Sequence, residues 1–179
     1  DTGSPENVIL LGAGSEESVE RSEVSSGTAE IASSSIRGMK EVMGKAAVSP
    51  EVHFNGLLEL SSGKQAQALV RGVSYQALWV HRKIRLKEGR FPRSGEGMVG
   101  KLAHVKLGVS VDELSIGSEI FFNGERIVIS GIYEAPGTVL EAEVWMPLAD
   151  LMAYTQRENL SCVVLALEDA ADYALVDAF

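Results

Sequence analysis

The stretch "SEIFFNGERIVISGIYEA", residues 118–135, carries the clearest structural signal in the sequence. Two runs rich in β-branched and aromatic residues flank the dipeptide Asn123-Gly124. Asn and Gly tolerate the positive φ angles that both central residues of a tight type I′ turn require, and this turn joins antiparallel strands. The stretch therefore predicts a β-hairpin, which we place in a β-rich unit.

The sequence after the hairpin predicts two strands separated by a helix. "EAEVWM", residues 141–146, has the pattern of a strand, and Pro147 suits the first turn of a helix that continues to about Arg157. "LSCVVLALE", residues 160–168, is apolar enough for a strand buried on both faces. "DAADYALVDAF", residues 169–179, predicts an amphipathic helix that stops without a cap, so we expect more chain to follow it in the parent protein.

The first part of the chain predicts a strand followed by a helix. "NVILLG", residues 7–12, is the strand. Ser22 is a candidate N-cap for a helix that runs to about Gly38. This helix is rich in serine and contains Gly27, and both features lower its helix propensity.

The middle of the chain predicts a second hairpin and then two short helical segments. "AVSPEVHFNGLLEL", residues 47–60, and "QAQALVRGVS", residues 65–74, are predicted strands joined by the turn "SSGK". Residues 74–82 contain one or two helical turns, and "GMVGKLAHVKLG", residues 97–108, predicts a short strand and a helix ended by a glycine. The first and last parts of the chain thus form one α+β layer, with a β-rich unit inserted between about residues 85 and 155.

The composition is that of an ordinary soluble globular protein and excludes several classes of partner. Of the 179 residues, 45% are apolar and 23% are charged, which suffices for one core or two small subdomains. The net charge of −9 argues against a nucleic-acid backbone as partner and equally against a polybasic anchor on a membrane surface. No apolar run approaches the length of a membrane span, and the polar start "DTGSPE" indicates a mature or excised piece.

One basic stretch runs against this acidic background. "HRKIRLKEGRFPR", residues 81–93, contains six Lys or Arg and a single Glu. Composition alone favours a solvated strand, a loop edge or a hinge between two subdomains. The alternative is a partner surface, since Arg is favoured at protein interfaces, and Trp79 is a candidate anchor beside it, although a core role is favoured for a tryptophan. The candidate residues of this surface are His81, Arg82, Lys83, Arg85 and Arg90.

Two partial matches to ligand-binding or catalytic motifs fail on a required feature. "NVILLGAGSEES", residues 7–18, has Gly12 and Gly14 of a dinucleotide-binding turn, but Glu17 stands at the third glycine position. Ser61-Ser62-Gly63-Lys64 matches S-x-x-K, yet it lies between two predicted strands and not at the start of a helix. Neither stretch predicts a nucleotide site or a serine nucleophile.

The remaining chemistry-bearing residues predict no metal site, no cofactor and no catalytic group. Cys162 is the only cysteine and lies in an apolar run, so no disulfide forms within the chain and a buried, inert thiol is expected. The three histidines, His53, His81 and His104, are far apart in sequence and lack the spacing of metal ligands. We therefore predict that the chain is not an enzyme.

Four stretches, taken in order, resemble MacB/FtsX-like ABC transporter permeases over nearly the whole chain. "ENVILLGAGSEESVERSEV", residues 6–24, is similar to the segment that follows their first transmembrane helix, and "AVSPEVHF", residues 47–54, is similar to their next strand. "RLKEGRFPRSGEGMVGKLAHVKLG", residues 85–108, and "IGSEIFFNGERIVISGIYEAPGTVLEAEVWMP", residues 116–147, resemble their inserted β-rich unit. Arg126 stands where many members carry an aromatic residue, so we expect that side of the hairpin to pack differently.

The resemblance implies a non-catalytic, extracytoplasmic (periplasmic) domain between the first and second membrane helices of a permease in the bacterial inner membrane. In this family a porter-like α+β subdomain is split by an inserted β-rich subdomain. The resemblance thus implies residues 1–84 as the first part of the porter-like subdomain, 85–155 as the inserted subdomain, and 156–179 as an incomplete return to the porter-like subdomain.

The resemblance also implies a function and partners. The domain couples membrane-domain motion, driven by a separate ATPase, to an extracytoplasmic cargo or partner. Its implied partners are a cytoplasmic ABC ATPase subunit or domain, acting through the membrane part, a second permease copy in a dimer, and a periplasmic partner or cargo. No cofactor and no catalytic residues are carried over.

Two other classes of function remain open from the sequence. The chain could be a freestanding secreted α/β binding or adhesion protein. It could also be a secreted hydrolase whose site assembles from scattered residues, such as His53 or His104 with a nearby acid. Membrane helices before residue 1 and after residue 179 in the full-length product would favour the permease.

Overall fold

The computed structural model describes residues 5–13, 18–169 and 176. In chain order the strands and helices are β1 (Asn7–Leu10), α1 (Thr28–Ser35), β2 (Glu41–Val42), β3 (Lys45–Ala46), β4 (Val48–Leu60), β5 (Gln65–Val73), α2 (Ala77–Val80), β6 (Arg85–Gly89), β7 (Glu96–Gly100), α3 (Ala103–Leu107), β8 (Glu119–Phe122), β9 (Glu125–Glu134), β10 (Val144–Pro147), α4 (Leu148–Thr155) and β11 (Cys162–Ala166). Short 3₁₀ helices lie at Val19–Arg21, Val111–Leu114 and Val139–Ala142. This mixture of a sheet with few helices confirms the α+β class.

The chain forms two compact units. The first unit comprises Asp1–Val52, Val73–Arg82 and Glu158–Phe179, and the second comprises His53–Gly72 and Lys83–Arg157. The boundaries implied by the resemblance, 1–84, 85–155 and 156–179, stay a prediction.

The sheet of the first unit is built around β11. This strand pairs antiparallel with β1, where Asn7 faces Ala166, and antiparallel with the first part of β4, where Cys162 faces Glu51. All five residues of β11 are buried, as expected for an apolar strand in the middle of a sheet. The prediction that residues 7–11 and 162–167 share a sheet is confirmed.

Side chains from the sheet and from α2 form the core of the first unit. The buried members of one cluster are Ala47, Val80, Cys162, Val164 and Ala166. Trp79 packs against this cluster while partly exposed, which supports the core role that its residue type favours. Cys162 is fully buried, as expected from its apolar surroundings.

The first helix differs from its prediction. It begins at Thr28 instead of after Ser22, and Gly27 stands at its N-cap without a side-chain cap. Ser22 is fully buried, and its Oγ accepts a hydrogen bond of 2.8 Å from the backbone N–H of Gly12. Ser22 thus holds the loop after β1, because a tertiary partner outcompetes the local capping role.

The strands of the second unit are arranged around β9, and through β4 they belong to the same nine-stranded sheet as β1. The hairpin lies in the second unit, as expected, but an expected separation from the sheet of residues 7–11 is wrong. β8 and β9 form the predicted hairpin, with φ angles of 50° at Asn123 and 82° at Gly124. β9 also pairs antiparallel with β6 and parallel with β7, and β7 pairs antiparallel with β10. The last part of β4 pairs with β8, so that Leu58 faces Phe122. This arrangement buries one face of the hairpin, including Ile120 and Ile127.

Other local predictions for the second unit are confirmed with small shifts. β4 and β5 are joined by the turn at Ser61–Lys64, where Leu60 N–H donates to the Lys64 carbonyl at 2.9 Å. α3 ends at Gly108 in a left-handed conformation. α4 follows Pro147 directly but ends at Thr155, two residues before the predicted end.

Of the helix predicted over residues 169–179, the described residues are Asp169, which lies in a bend, and Val176, which is helical and buried. The other residues of this prediction lie outside the described part of the chain. Within the part of the chain that is described, no helix is long and apolar enough to cross a membrane.

Candidate functional surface

His81, the first candidate of the basic stretch, is a core residue of the first unit. Its side chain is 1% exposed, and it directly follows α2, which ends at Val80. His81 Nε2 lies 2.5 Å from Glu51 Oε1, and Ser49 Oγ donates to the same oxygen at 3.0 Å. The prediction of His81 as a residue of an exposed partner surface is therefore corrected: it belongs to a buried polar cluster.

Arg82 lies in the same unit but is exposed. Its Nη1 forms an ion pair with Glu6 Oε2 at 3.1 Å, and half of its side-chain surface remains open to solvent. An exposed pair of this kind contributes little to stability, so Arg82 stays available for another contact.

Lys83, Arg85 and Arg90 are exposed residues of the second unit, and Arg85 is the one that lies on β6. β6 lies at the edge of the sheet, and all five of its residues are exposed. Its pairing with β9 is interrupted by a bulge between Leu86 and Glu88. Charged side chains and bulges on an edge strand prevent further strands from adding to it. This structure gives a physical reason for the solvated-edge interpretation.

Arg90 is held by a bidentate ion pair. Its two terminal nitrogens donate to the two oxygens of Glu96, both at 2.6 Å. These hydrogen bonds lower the pKa of Glu96 and raise the pKa of Arg90. A role in partner binding stays a prediction for Arg82, Lys83, Arg85 and Arg90.

Arg126 pairs with Glu119 on the neighbouring strand. Arg126 Nε donates to Glu119 Oε1 at 2.7 Å, and both side chains are exposed. The expectation that this side of the hairpin packs differently stays a prediction.

A buried ionic cluster in the second unit was missed by the sequence analysis. Arg71 on β5 donates to Glu143 from Nε at 2.7 Å and from Nη2 at 2.8 Å. Trp145 Nε1 donates to Glu143 Oε2 at 2.9 Å, and the Arg71 guanidinium lies 5.7 Å from the centre of the Trp145 ring. His53 Nε2 lies 2.7 Å from Arg71 Nη1. Because Arg71 can only donate, His53 accepts through Nε2 and carries its proton on Nδ1.

Tyr133 completes this cluster from β9. Its hydroxyl donates to the backbone carbonyl of Leu140 at 2.6 Å, and its ring lies 5.3 Å from that of Trp145. Burial raises the pKa of the Tyr133 hydroxyl well above its usual value, and the nearby Glu143 carboxylate raises it further. The tyrosine therefore stays protonated, and the cluster acts as a buried tie between strands.

Two signals in the sequence could have pointed to this cluster. Arg71 is a lone charge in the apolar run "ALVRGV", and Glu143 directly precedes the apolar "VWM". A charge inside a buried strand needs a partner of opposite sign. The sequence does not say which of its many acids that partner is.

The hydrolase hypothesis finds no support in the surroundings of the two candidate histidines. His53 is buried, and its Nε2 is engaged by Arg71. His104 Nδ1 lies 3.0 Å from the backbone carbonyl of Lys101. Each imidazole is thus bound to a structural partner.

An open groove of ≈ 590 Å³ lies on the first unit. Its lining includes Ala29 and Glu30 of α1 and Gly44 and Lys45 of the β2–β3 hairpin. The lining mixes small and charged residues, and none of the described residues that form it is a histidine or cysteine.

The same combination of strands and helices occurs in a known family. The family model of the MacB-like periplasmic core domain matches residues 3–178. This chain belongs to the MacB-like periplasmic core domain family. It is an extracytoplasmic domain of an ABC-type transporter permease.

Solved structures support the fold of this MacB-like domain. The periplasmic region of MacB from Actinobacillus actinomycetemcomitans matches with a TM-score of 0.70 at 15% identity, covering 96% of this chain and 81% of that chain. The extracellular domain of the ABC-type transporter YknZ from Gram-positive bacteria matches with a TM-score of 0.67 at 15% identity, covering 94% and 87%. No curated protein matches the sequence.

Proposed function

We propose that this MacB-like domain couples motion of the permease's membrane part to an extracytoplasmic cargo or partner. The motion is driven by ATP hydrolysis in a separate cytoplasmic ATPase subunit or domain. The family match over residues 3–178 is the observation that carries the proposal.

The surroundings of the polar side chains support a mechanical and non-catalytic role. Glu143 receives hydrogen bonds from Arg71 and Trp145, and Glu51 receives them from Ser49 and His81. These groups hold strands together within each unit. A domain that transmits force requires such hydrogen bonds between its strands, and it does not require a reactive group.

The setting of the domain follows from the same proposal. It lies between the first and second membrane helices of a permease in the bacterial cytoplasmic membrane. A second permease copy and a periplasmic partner or cargo are its further contacts. The porter-like subdomain, split by an inserted β-rich subdomain, belongs to this proposal.

The test uses the intact permease reconstituted with its ATPase. Arg82, Lys83 and Arg85 are replaced together by Ser, which removes three exposed charges from the candidate partner surface. The expected result is normal membrane insertion with a loss of transport-coupled ATP hydrolysis.

The matched control removes the same charge from exposed positions outside the basic stretch. It replaces Arg21, Lys101 and Lys106 together by Ser. This control should retain coupling. The proposed function would be contradicted if deletion of the whole domain had no effect on transport. If the two triple variants showed equal transport-coupled ATP hydrolysis, only the role of the basic stretch in coupling would be contradicted.

A further inference from the structure

The sequence contains two Asn-Gly pairs, and the structure places them in different surroundings. Asn123-Gly124 forms the exposed turn between β8 and β9, with φ angles of 50° and 82°. Asn55-Gly56 lies inside β4, where Gly56 is buried and the Phe122 ring lies against it. The same dipeptide thus occurs once in an open turn and once in a covered strand.

An asparagine that precedes a glycine can react with its own backbone. The backbone nitrogen of the glycine attacks the side-chain carbonyl carbon, because glycine has no Cβ to restrict this approach. A new N–C bond forms, the bond to the side-chain NH₂ breaks, and ammonia leaves with the proton of the backbone nitrogen. Water then opens the five-membered succinimide at either carbonyl and gives aspartate or isoaspartate.

The turn leaves both reacting groups of the Asn123-Gly124 pair accessible. Both residues are exposed, and the Gly124 N–H donates no hydrogen bond to any residue that the structure describes. The backbone of the other pair belongs to a strand that is paired with β5. Ring closure requires the backbone between the two residues to rotate, and strands inside a sheet open far more rarely than exposed turns.

Asn123 also caps the end of α4 through its side chain. Its Nδ2 donates to the Tyr154 carbonyl at 3.1 Å. The last carbonyls of an α-helix have no partner within the helix. Two neighbouring carbonyls of α4 accept from the backbone N–H groups of residues that follow the helix, and Asn123 provides the donor for the carbonyl of Tyr154.

Deamidation of Asn123 would remove this cap. A carboxylate can only accept hydrogen bonds, so aspartate or isoaspartate at position 123 cannot donate to the Tyr154 carbonyl. The product also places a negative charge at the C-terminal end of α4, where the helix dipole disfavours it. The turn thus loses its hydrogen bond to the helix and gains a repulsive contact with it.

We propose that Asn123 is a site of spontaneous modification, at which deamidation releases the β8–β9 turn from the end of α4. The reaction consumes water and needs no enzyme, so the conversion proceeds with the age of the folded chain. This inference goes beyond the coupling function and does not depend on it.

Incubation of the 179-residue chain at mildly alkaline pH, followed by peptide mass spectrometry, tests the reaction. The peptide that contains position 123 should gain the mass difference between OH and NH₂, and in ¹⁸O-labelled water it should take up one labelled oxygen. Asn55 is the control within the same molecule, and Asn123 should convert at least about tenfold faster. In urea, where the fold no longer protects Asn55, both should convert at similar rates.

The turn between β2 and β3 allows a variant that gains a site. This matched turn has Met43 and Gly44 at its centre, with φ angles of 53° and 75°, and Val42 pairs with Lys45 beside them. Met43 is 93% exposed. Met43→Asn places a third Asn-Gly pair in an exposed turn, and this pair should convert faster than the pair inside β4.

Asn123→Asp reproduces one product and tests the consequence for α4. Asp-Gly also suits a type I′ turn, so this variant keeps the hairpin and changes the cap. Amide hydrogen exchange in the last turn of α4 should become about fivefold faster, as expected for the loss of one hydrogen bond. The last turn of α3, which ends at Gly108, is the internal control and should be unchanged.

The proposal is overturned if Asn123 converts no faster than Asn55 in the folded chain, or if Met43→Asn adds no third site of conversion. It is also overturned if amide exchange in α4 is the same in Asn123→Asp as in the original chain. These measurements involve neither the membrane part nor the ATPase, so a negative result leaves the coupling proposal to its own test.

Discussion

Arg71 donates two hydrogen bonds to the carboxylate of Glu143, although these residues lie 72 positions apart and both side chains are buried. A buried guanidinium whose carboxylate partner is removed keeps its full desolvation cost. Loss of either partner alone should therefore destabilise the second unit, because the other charge would stay buried without compensation.

Glu143→Gln should destabilise the chain by about 3–5 kcal/mol, because it leaves the Arg71 charge uncompensated in the interior. Glu119→Gln is the matched control, since its partner Arg126 is an exposed residue of the same unit. The control should cost less than about 1 kcal/mol. Urea unfolding measures both, and equal effects of the two variants would show that the buried pair contributes no more than a surface pair.

Gly12→Ala should destabilise the first unit by about 1–3 kcal/mol. A Cβ at this position would lie 2.5 Å from the backbone carbonyl oxygen of Glu23, and backbone cannot move aside cheaply. Gly27→Ala is the control, because a Cβ there meets nothing within 4 Å and φ is −77°. Thermal unfolding measures the stability of both variants. A Gly12→Ala variant as stable as the original chain would mean that the loop after β1 packs differently.

Met43→Asn should raise the stability of the chain by about 1 kcal/mol, since Asn is better suited to the positive φ at this position. The reverse change at the matched turn, Asn123→Met, should lower stability by a similar amount. Asn123 would also lose its side-chain hydrogen bond to the Tyr154 carbonyl. If Met43→Asn lowered the stability, Met43 would be shown to stabilise the folded chain.

The ion pair between Arg90 and Glu96 predicts a specific pH dependence. The pKa of Glu96 is lowered from its ordinary value of 4.5 in the folded chain, so the pair stabilises the fold above that pH. Its contribution is lost as the pH falls through the lowered pKa. Because both side chains are partly solvated, the effect on stability is small, and ¹³C NMR titration of the Glu96 carboxyl is the suitable measurement.

Arg90→Ser should raise the pKa of Glu96 toward its ordinary value, because the bidentate hydrogen bond is the main cause of the lowering. Arg126→Ser, at an ion pair elsewhere in the same unit, should leave Glu96 unchanged. A Glu96 titration that is insensitive to Arg90→Ser would contradict the geometry of the pair.

Local chemistry made the hairpins and the buried strand predictable. Asn123-Gly124 specifies its turn through its own φ preferences, and the apolar run of β11 specifies burial without reference to other elements. Predictions of this kind need only neighbouring residues. They located most strands of both units.

Non-local contacts set the limits of the sequence analysis. Ser22 has the residue type of an N-cap, but a hydrogen bond from Gly12 draws it into the interior. His81 sits in a basic stretch, yet a partner 30 residues away, Glu51, fixes it inside the first unit. The parallel pairing of β7 with β9 likewise depends on a crossover that no local pattern reveals.

The central claim, that this domain moves with the ATPase cycle, is tested most directly by a probe on the second unit of the intact permease. Lys101→Cys provides an exposed labelling position in a version of the permease without other exposed cysteines. With the permease and its ATPase reconstituted in vesicles, the fluorescence should change on ATP addition and return on ATP depletion. With a hydrolysis-deficient ATPase, the fluorescence should not return to its starting value. Constant fluorescence while ATP is hydrolysed and transport proceeds would contradict the claim.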